Sequence, residues 1–106
     1  MKIQYKVISL YCFTKIDKNL ILDLKDKLLD FDNHNISGLI ILGEEGINGT
    51  ICGAEKCVNI LLKFIKKYLN RNDINEKISF SDKNIFKKLK IKIKPEIVTI
   101  GIKDIN

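Results

Sequence analysis

Long apolar runs are missing from this 106-residue chain; the longest, Leu39 to Leu42, is far too short to span a bilayer. Met1-Lys2 leads straight into an alternating segment, so no signal peptide is expected. Cysteine is scarce and unpatterned. Cys12, Cys52 and Cys57 are odd in number and share no CxxC or His-linked spacing, which argues against a disulfide framework and against structural zinc. A reducing, cytoplasmic setting without membrane contact is the expectation. Histidine is represented by His34 alone, in a polar stretch where solvation is its expected state, and arginine by Arg71 alone. Internal repeats and low-complexity tracts are absent. No nucleophile–base pair, metal-ligand cluster or complete phosphate loop is visible, so neither a cofactor nor a metal is expected.

What the chain does have is ordinary globular material: 45% hydrophobic and 30% charged residues. At this length a single domain can bury roughly two-thirds of its unfolded surface. Charge is unevenly placed. Residues 1–53 carry six lysines against seven acids, a net of −1, whereas residues 54–106 carry twelve lysines and Arg71 against six acids, a net of +7. Such asymmetry suits a polyanionic partner, and equally a solvated basic face.

Gln4 to Phe13 reads as a strand rich in Val, Ile, Tyr and Phe. Asp17 is placed to cap a helix whose Leu20, Leu24, Leu28 and Phe31 form one stripe, closed by the turn-forming Asp32 to Asn35. Ile36 to Leu42 is a second, largely apolar strand. A glycine-rich connection, Gly43-Glu44-Glu45-Gly46-Ile47-Asn48-Gly49, feeds a third strand expected over Gly49 to Cys52. Its plainest reading is a hairpin turn, with Asn48-Gly49 supplying the positive φ angles. A second helix after Gly53 aligns Cys57, Leu61, Phe64, Ile65 and Tyr68, and ends at Asn70 to Asp73. Strands follow at Lys77 to Ser81 and Leu89 to Lys94. The β-α-β-β-α-β order with a final strand predicts an α+β, ferredoxin-like antiparallel sheet with two helices on one face.

The last strand alternates Lys88-Leu89-Lys90-Ile91-Lys92-Ile93-Lys94. Period-two geometry puts Lys88, Lys90, Lys92 and Lys94 on one side, about 7 Å apart. Lysine at that spacing suits contact with a nucleic-acid backbone, and lysine on an edge strand also blocks aggregation. Tyr5, Tyr11 and Phe13 share one parity and are assigned to the core rather than to base stacking. Adjacent Glu44 and Glu45 point to opposite faces if the strand is regular, so a metal or acid–base pair is disfavoured. One carboxylate accepting backbone N–H bonds is the expected arrangement.

Taken together, Tyr5-Lys6-Val7, Tyr11-Cys12-Phe13, Glu44-Glu45-Gly46-Ile47-Asn48-Gly49-Thr50-Ile51, Phe86 to Lys94 and Glu96 to Gly101 resemble the N-terminal domain of the rhodanese-related tRNA uridine hydroxylases. That family forms 5-hydroxyuridine at the wobble position with molecular oxygen, and pairs an acylphosphatase-like domain with a rhodanese domain. Pro95 departs from its pattern, where a basic residue is expected. The resemblance implies a domain over residues 1–101 and the start of a linker over 102–106. It implies an electrostatic RNA-binding role in tRNA modification for Lys88, Lys90, Lys92 and Lys94, with the anticodon region of tRNA and a C-terminal rhodanese domain as partners. Glu44, Glu45, Gly46, Asn48 and Gly49 would form a signature loop. None of the three cysteines sits in a rhodanese-type loop, so no catalytic residue is assigned and the chain is expected to be inactive as an oxidoreductase by itself. Two other readings stay open: a scaffold that packs on the rhodanese domain without touching RNA, and a small acylphosphatase-like enzyme. The latter needs an arginine in the first βα loop, which here reads Thr14-Lys15-Ile16-Asp17.

Overall fold

β1 (Tyr5–Phe13) forms where β-branched and aromatic residues concentrate, and its side chains alternate between two environments. A computed structural model of the chain describes residues 4–31, 35–83 and 88–97. After β1 come α1 (Lys18–Leu29), β2 (Ile36–Gly43), β3 (Gly46–Gly53), α2 (Glu55–Leu69), β4 (Asn75–Ser81) and β5 (Leu89–Ile93). The sheet order is β4-β1-β3-β2-β5. The first four strands pair antiparallel, and β5 adds to β2 in parallel, so the expected antiparallel sheet is mixed at that edge. This is the ferredoxin-like layout of the acylphosphatase type. His34, Phe86, Lys87 and residues 98–106 lie outside the described residues.

Both helices pack on one face of the sheet. Ile8, Leu10 and Cys12 of β1, Ile47 and Ile51 of β3, Ile40 and Leu42 of β2, and Leu89 and Ile91 of β5 point into that layer and are buried. α1 contributes Ile21, Leu24 and Leu28; α2 contributes Val58, Leu61, Leu62 and Ile65. The α1 stripe departs from expectation at its first position only: Leu24 and Leu28 are buried as expected, but Ile21 is buried and Leu20 is 48% exposed. Asp17 occupies the N-cap position with extended backbone, yet its side chain makes no capping hydrogen bond. α2 ends as its sequence predicts, on Asn70 in the left-handed region at φ 55°, whose N–H reaches the carbonyls of Lys66 and Lys67.

Two further expectations are corrected. The hairpin turn between β2 and β3 is Glu44-Glu45, not Asn48-Gly49, and β3 begins at Gly46 rather than Gly49. Neither glutamate takes a positive φ; the departure from strand geometry falls on Gly46 at φ 142°. A Cβ on Gly46 would sit 2.0 Å from the Cys12 carbonyl oxygen. Glycine beside the turn thus replaces the Asn-Gly turn that the local sequence suggests. The second correction concerns aromatics. Tyr11 and Phe13 are not core: they stand on the sheet face away from the helices, 46% and 54% exposed.

Candidate functional site

The face opposite the helices is set by strand register. Ser9 and Tyr11 of β1 lie beside Thr50 and Asn48 of β3, which lie beside Leu39 and Ile41 of β2. Leu39 and Ile41 in turn lie beside Lys90 and Lys92 of β5. On the far side Ser9 pairs with Lys77 of β4. Paired residues in neighbouring strands share a face, so Lys77, Lys90 and Lys92 all project from the side bearing Tyr11 and Phe13. Every in-strand position of that parity is neutral or cationic; none is Asp or Glu. Among the described residues Ile97 packs against this face at Asn48 and Gly43, and Val7, Ile41 and Cys52 of that parity are buried, whereas Tyr11, Phe13, Lys77, Lys90 and Lys92 stay exposed.

Elsewhere some of the lysines are matched by acids. Lys6 lies 3.7 Å from Glu55 and donates to Asn59 at 2.8 Å. Lys27 meets Asp23 at 2.6 Å and Lys66 meets Glu76 at 2.6 Å. Among the described residues no ion pair holds Lys77, Lys90 or Lys92. The expected ladder is thus half realised. Lys90 and Lys92 are in β5 and on the open face, whereas Lys88 and Lys94 are exposed but flank the strand. The Lys94 N–H makes the last ladder bond, to the Leu42 carbonyl at 2.9 Å. Pro95, lacking an N–H, ends the pairing there. β5 is a sheet edge, so the anti-aggregation role of its lysines is equally served. Lys77, Tyr11 and Phe13 were not read as site residues. The parity of β1 and β4 was visible in sequence, but which parity faced the helices was not.

The signature loop does something different from display. The Glu45 Oε1 accepts the Ile97 N–H at 2.8 Å, and the Asn48 Nδ2 donates to the Ile97 carbonyl at 2.6 Å. Both backbone groups of one residue are thereby held, and the Ile97 side chain is buried at 1% exposure. Gly43 leaves room for this segment: a Cβ there would meet the Lys94 carbonyl oxygen at 2.6 Å and Ile97 Cγ2 at 3.2 Å. The Glu44 and Glu45 carbonyls accept the N–H groups of Ile16 and Thr14, both at 3.0 Å. The turn is therefore a junction between the β1–α1 loop and the segment leaving β5. As expected, a carboxylate caps a backbone N–H, although the partner lies 52 residues away rather than in the loop itself. Gly49 is not in a loop; it pairs with Leu10 and Ile40 mid-strand.

Cysteine chemistry finds no support among the described residues. Cys12, Cys52 and Cys57 are free, and burial pushes the Cys12 thiol up, away from thiolate. Cys12 and Cys52 fall at opposite ends of the β1–β3 pairing and on opposite faces. Arg71 is committed to Asp73 through two bonds of 2.8 and 2.7 Å, and it follows α2 rather than belonging to the first βα loop that an acylphosphatase would use. No cluster of three metal-ligating side chains occurs among the described residues.

This is the acylphosphatase-type ferredoxin-like class: two helices over a 4-1-3-2-5 sheet, with an acid-free basic face opposite them. Residues 5–97 match the model of the UPF0176 acylphosphatase like domain, and the chain belongs to that family. It is 52% identical over 96% of its length to a tRNA uridine(34) hydroxylase of Prochlorococcus marinus strain MIT 9215, of which it spans 33%. Against a protein of the same name from Rickettsia bellii it is 36% identical over 94% of the chain, spanning 40% of that protein. The chain is thus about a third of the length of the relatives it matches. Among solved structures, a bacterial light-regulated adenylyl cyclase aligns with 97% of this chain and 32% of its own (TM-score 0.70, 14% identity). An acylphosphatase from Coxiella burnetii aligns with 84% of this chain and 93% of its own (TM-score 0.52, 7% identity). At these identities they share the fold alone. No described helix is long and apolar enough to cross a membrane.

Proposed function

We propose that this domain docks tRNA through its open sheet face and presents the wobble uridine to the rhodanese domain of the family's longer proteins, where the oxidation would take place. One observation carries the reading. Lys77, Lys90 and Lys92 project from one face whose strand positions hold no acid. Unpaired lysines on one face cost Coulomb energy in the free domain unless a polyanion relieves it. Lys88 and Lys94 extend the same basic edge at either end of β5. The names of the relatives supply the polyanion's class, a tRNA read at uridine 34.

Binding of a labelled anticodon stem–loop, followed by fluorescence anisotropy across a salt series, tests this. Affinity should fall linearly on a log–log plot against salt. Lys90→Gln with Lys92→Gln should lower that slope by about 0.7 for each charge removed from a single-stranded contact. An unchanged slope and affinity in the double variant would reject the surface.

A second surface supports the scaffold role without competing for the first. Ile21, Leu22, Gly43, Ile93 and Pro95 line a mostly apolar cleft of about 470 Å3, with Lys18, Glu44 and Lys94 at its rim. Ile93 faces the helix side, because it pairs with the buried Leu42. Packing of the rhodanese domain there would leave the open sheet face free. Leu22→Asp should then weaken association with a separately produced rhodanese domain while leaving RNA affinity unchanged.

A further inference from the structure

We infer that Tyr11 and Phe13 form a stacking platform for unpaired bases, so that the open face takes single-stranded RNA rather than duplex. The inference rests on the docking reading above and adds the form of nucleic acid that the surface selects.

The two rings lie 6.1 Å apart between centroids and are tilted by 70°, an edge-to-face pair. They are 46% and 54% exposed on a central strand. Aromatics on β1 would be expected to turn inward, as Ile8 and Leu10 do. Here the parity of β1 sends Ile8, Leu10 and Cys12 to the helices and leaves Tyr11 and Phe13 outside, where no described element covers them. Exposed rings of this size are an unfavourable surface unless something flat covers them. Bases do so at little directional cost, since every base has a π-face.

The surroundings fit a nucleotide strand laid across the sheet. From β1 to β5 is three inter-strand steps, about 14 Å, a span a few nucleotides can cross. The rings stand at one end of that path; Lys90 and Lys92 stand at the other, and Lys77 sits one strand beyond β1. Between them Thr50 and Ser9 offer hydroxyls, with Thr50 Oγ1 3.2 Å from Ser9 Oγ, while the Asn48 amide is taken by the Ile97 carbonyl. A duplex keeps its bases stacked on one another and would offer only phosphates to the lysines. An unpaired stretch can offer phosphates to the lysines and bases to the rings. Uridine 34, the position named for the relatives, is itself unpaired within an anticodon loop.

The test compares two probes on the 106-residue chain: a short oligouridylate and a blunt RNA duplex. The chain has no tryptophan, so its emission comes from Tyr5, Tyr11 and Tyr68, and the quenching lost in Tyr11→Phe is the part that reports on Tyr11. Tyr11→Leu and Phe13→Leu should each weaken oligouridylate binding about tenfold, change duplex binding less than twofold, and leave the salt slope as it was. Tyr11→Phe and Phe13→Tyr should restore affinity, and oligouridylate should quench emission in all variants that keep Tyr11. Both positions are half exposed, and circular dichroism checks that the leucine variants stay folded. Leucine variants that bind oligouridylate like the parent, or that lose both probes equally, overturn the platform while phosphate docking stands. Failure of the unaltered chain to bind oligouridylate or a stem–loop at low salt overturns the platform and the docking reading together.

Discussion

Glu45, Asn48 and the glycines around them are structural before they are functional. Glu45 and Asn48 hold both backbone groups of Ile97, so removing either leaves a part-buried polar group without its partner. Asn48→Ala should cost about 1–2 kcal/mol in urea unfolding. Glu44→Ala should cost under about 0.5 kcal/mol, because that side chain is exposed and its one ion-pair contact among the described residues, at 3.9 Å, is to a still more exposed Lys18. Gly46→Ala should cost more than about 2 kcal/mol, since it meets both a positive φ and the Cys12 carbonyl. If Glu44→Ala proves the costliest of the three, the junction is misassigned. The sequence drew attention to these residues through local oddities, glycines and paired acids. Their partner is remote in sequence, and hydrogen bonds of that kind leave no periodic signal. Asn48-Gly49 is the instructive case: its turn propensity is strong, but burial of Ile47 and Ile51 on either side holds it in the central strand β3.

At the scale of elements, α1 and α2 are joined by a polar tie, and Phe31, two residues past the end of α1, meets Phe64 of α2 at 5.5 Å between ring centroids. The Tyr68 hydroxyl donates to Asp23 Oδ2 at 2.6 Å, and Asp23 also pairs with Lys27. Burial first, and then the hydrogen bond to Asp23, push the Tyr68 pKa up to about 12. A folded-state value above the unfolded one of about 10 means that the unfolded chain loses the proton first. The stabilisation is therefore whole below pH 10 and is lost as pH rises towards 12. The hydrogen bonds from Lys27 and Tyr68 lower the Asp23 pKa, so its share is present above the usual carboxylate range and lost on acidification. Denaturant unfolding from pH 8 to 12 should show an alkaline fall that Tyr68→Phe makes shallower; an identical fall in the variant would remove Tyr68 as its cause. Element order and most boundaries were legible here, because strand alternation and helical spacing are local. Helix phase was less so. Leu20 and Ile21 are both apolar, and only the position of the sheet decides that Ile21 is the buried one.

At the scale of the molecule, four of the five strands bring residues from positions 9, 11, 48, 50, 77, 90 and 92 onto one face. The lysine alternation in β5 was legible because period two is visible in a heptapeptide. Its alignment with Tyr11 and Lys77 was not, since that depends on strand order and on which face the helices cover. The same information moved Tyr11 and Phe13 from the core to the surface. In the proposed division of work, an apolar cleft at the helix side receives a following domain and the basic sheet face receives RNA. The most direct test of that division is an NMR titration of the labelled chain with an anticodon stem–loop carrying a wobble uridine, at low and moderate salt. Saturable shifts at Tyr11, Phe13, Asn48, Thr50, Lys77, Lys90 and Lys92, weakening with salt and sparing Leu22 and the α1 face, are the expected result. Unperturbed spectra at low salt, or shifts centred on the α1 cleft, would contradict it.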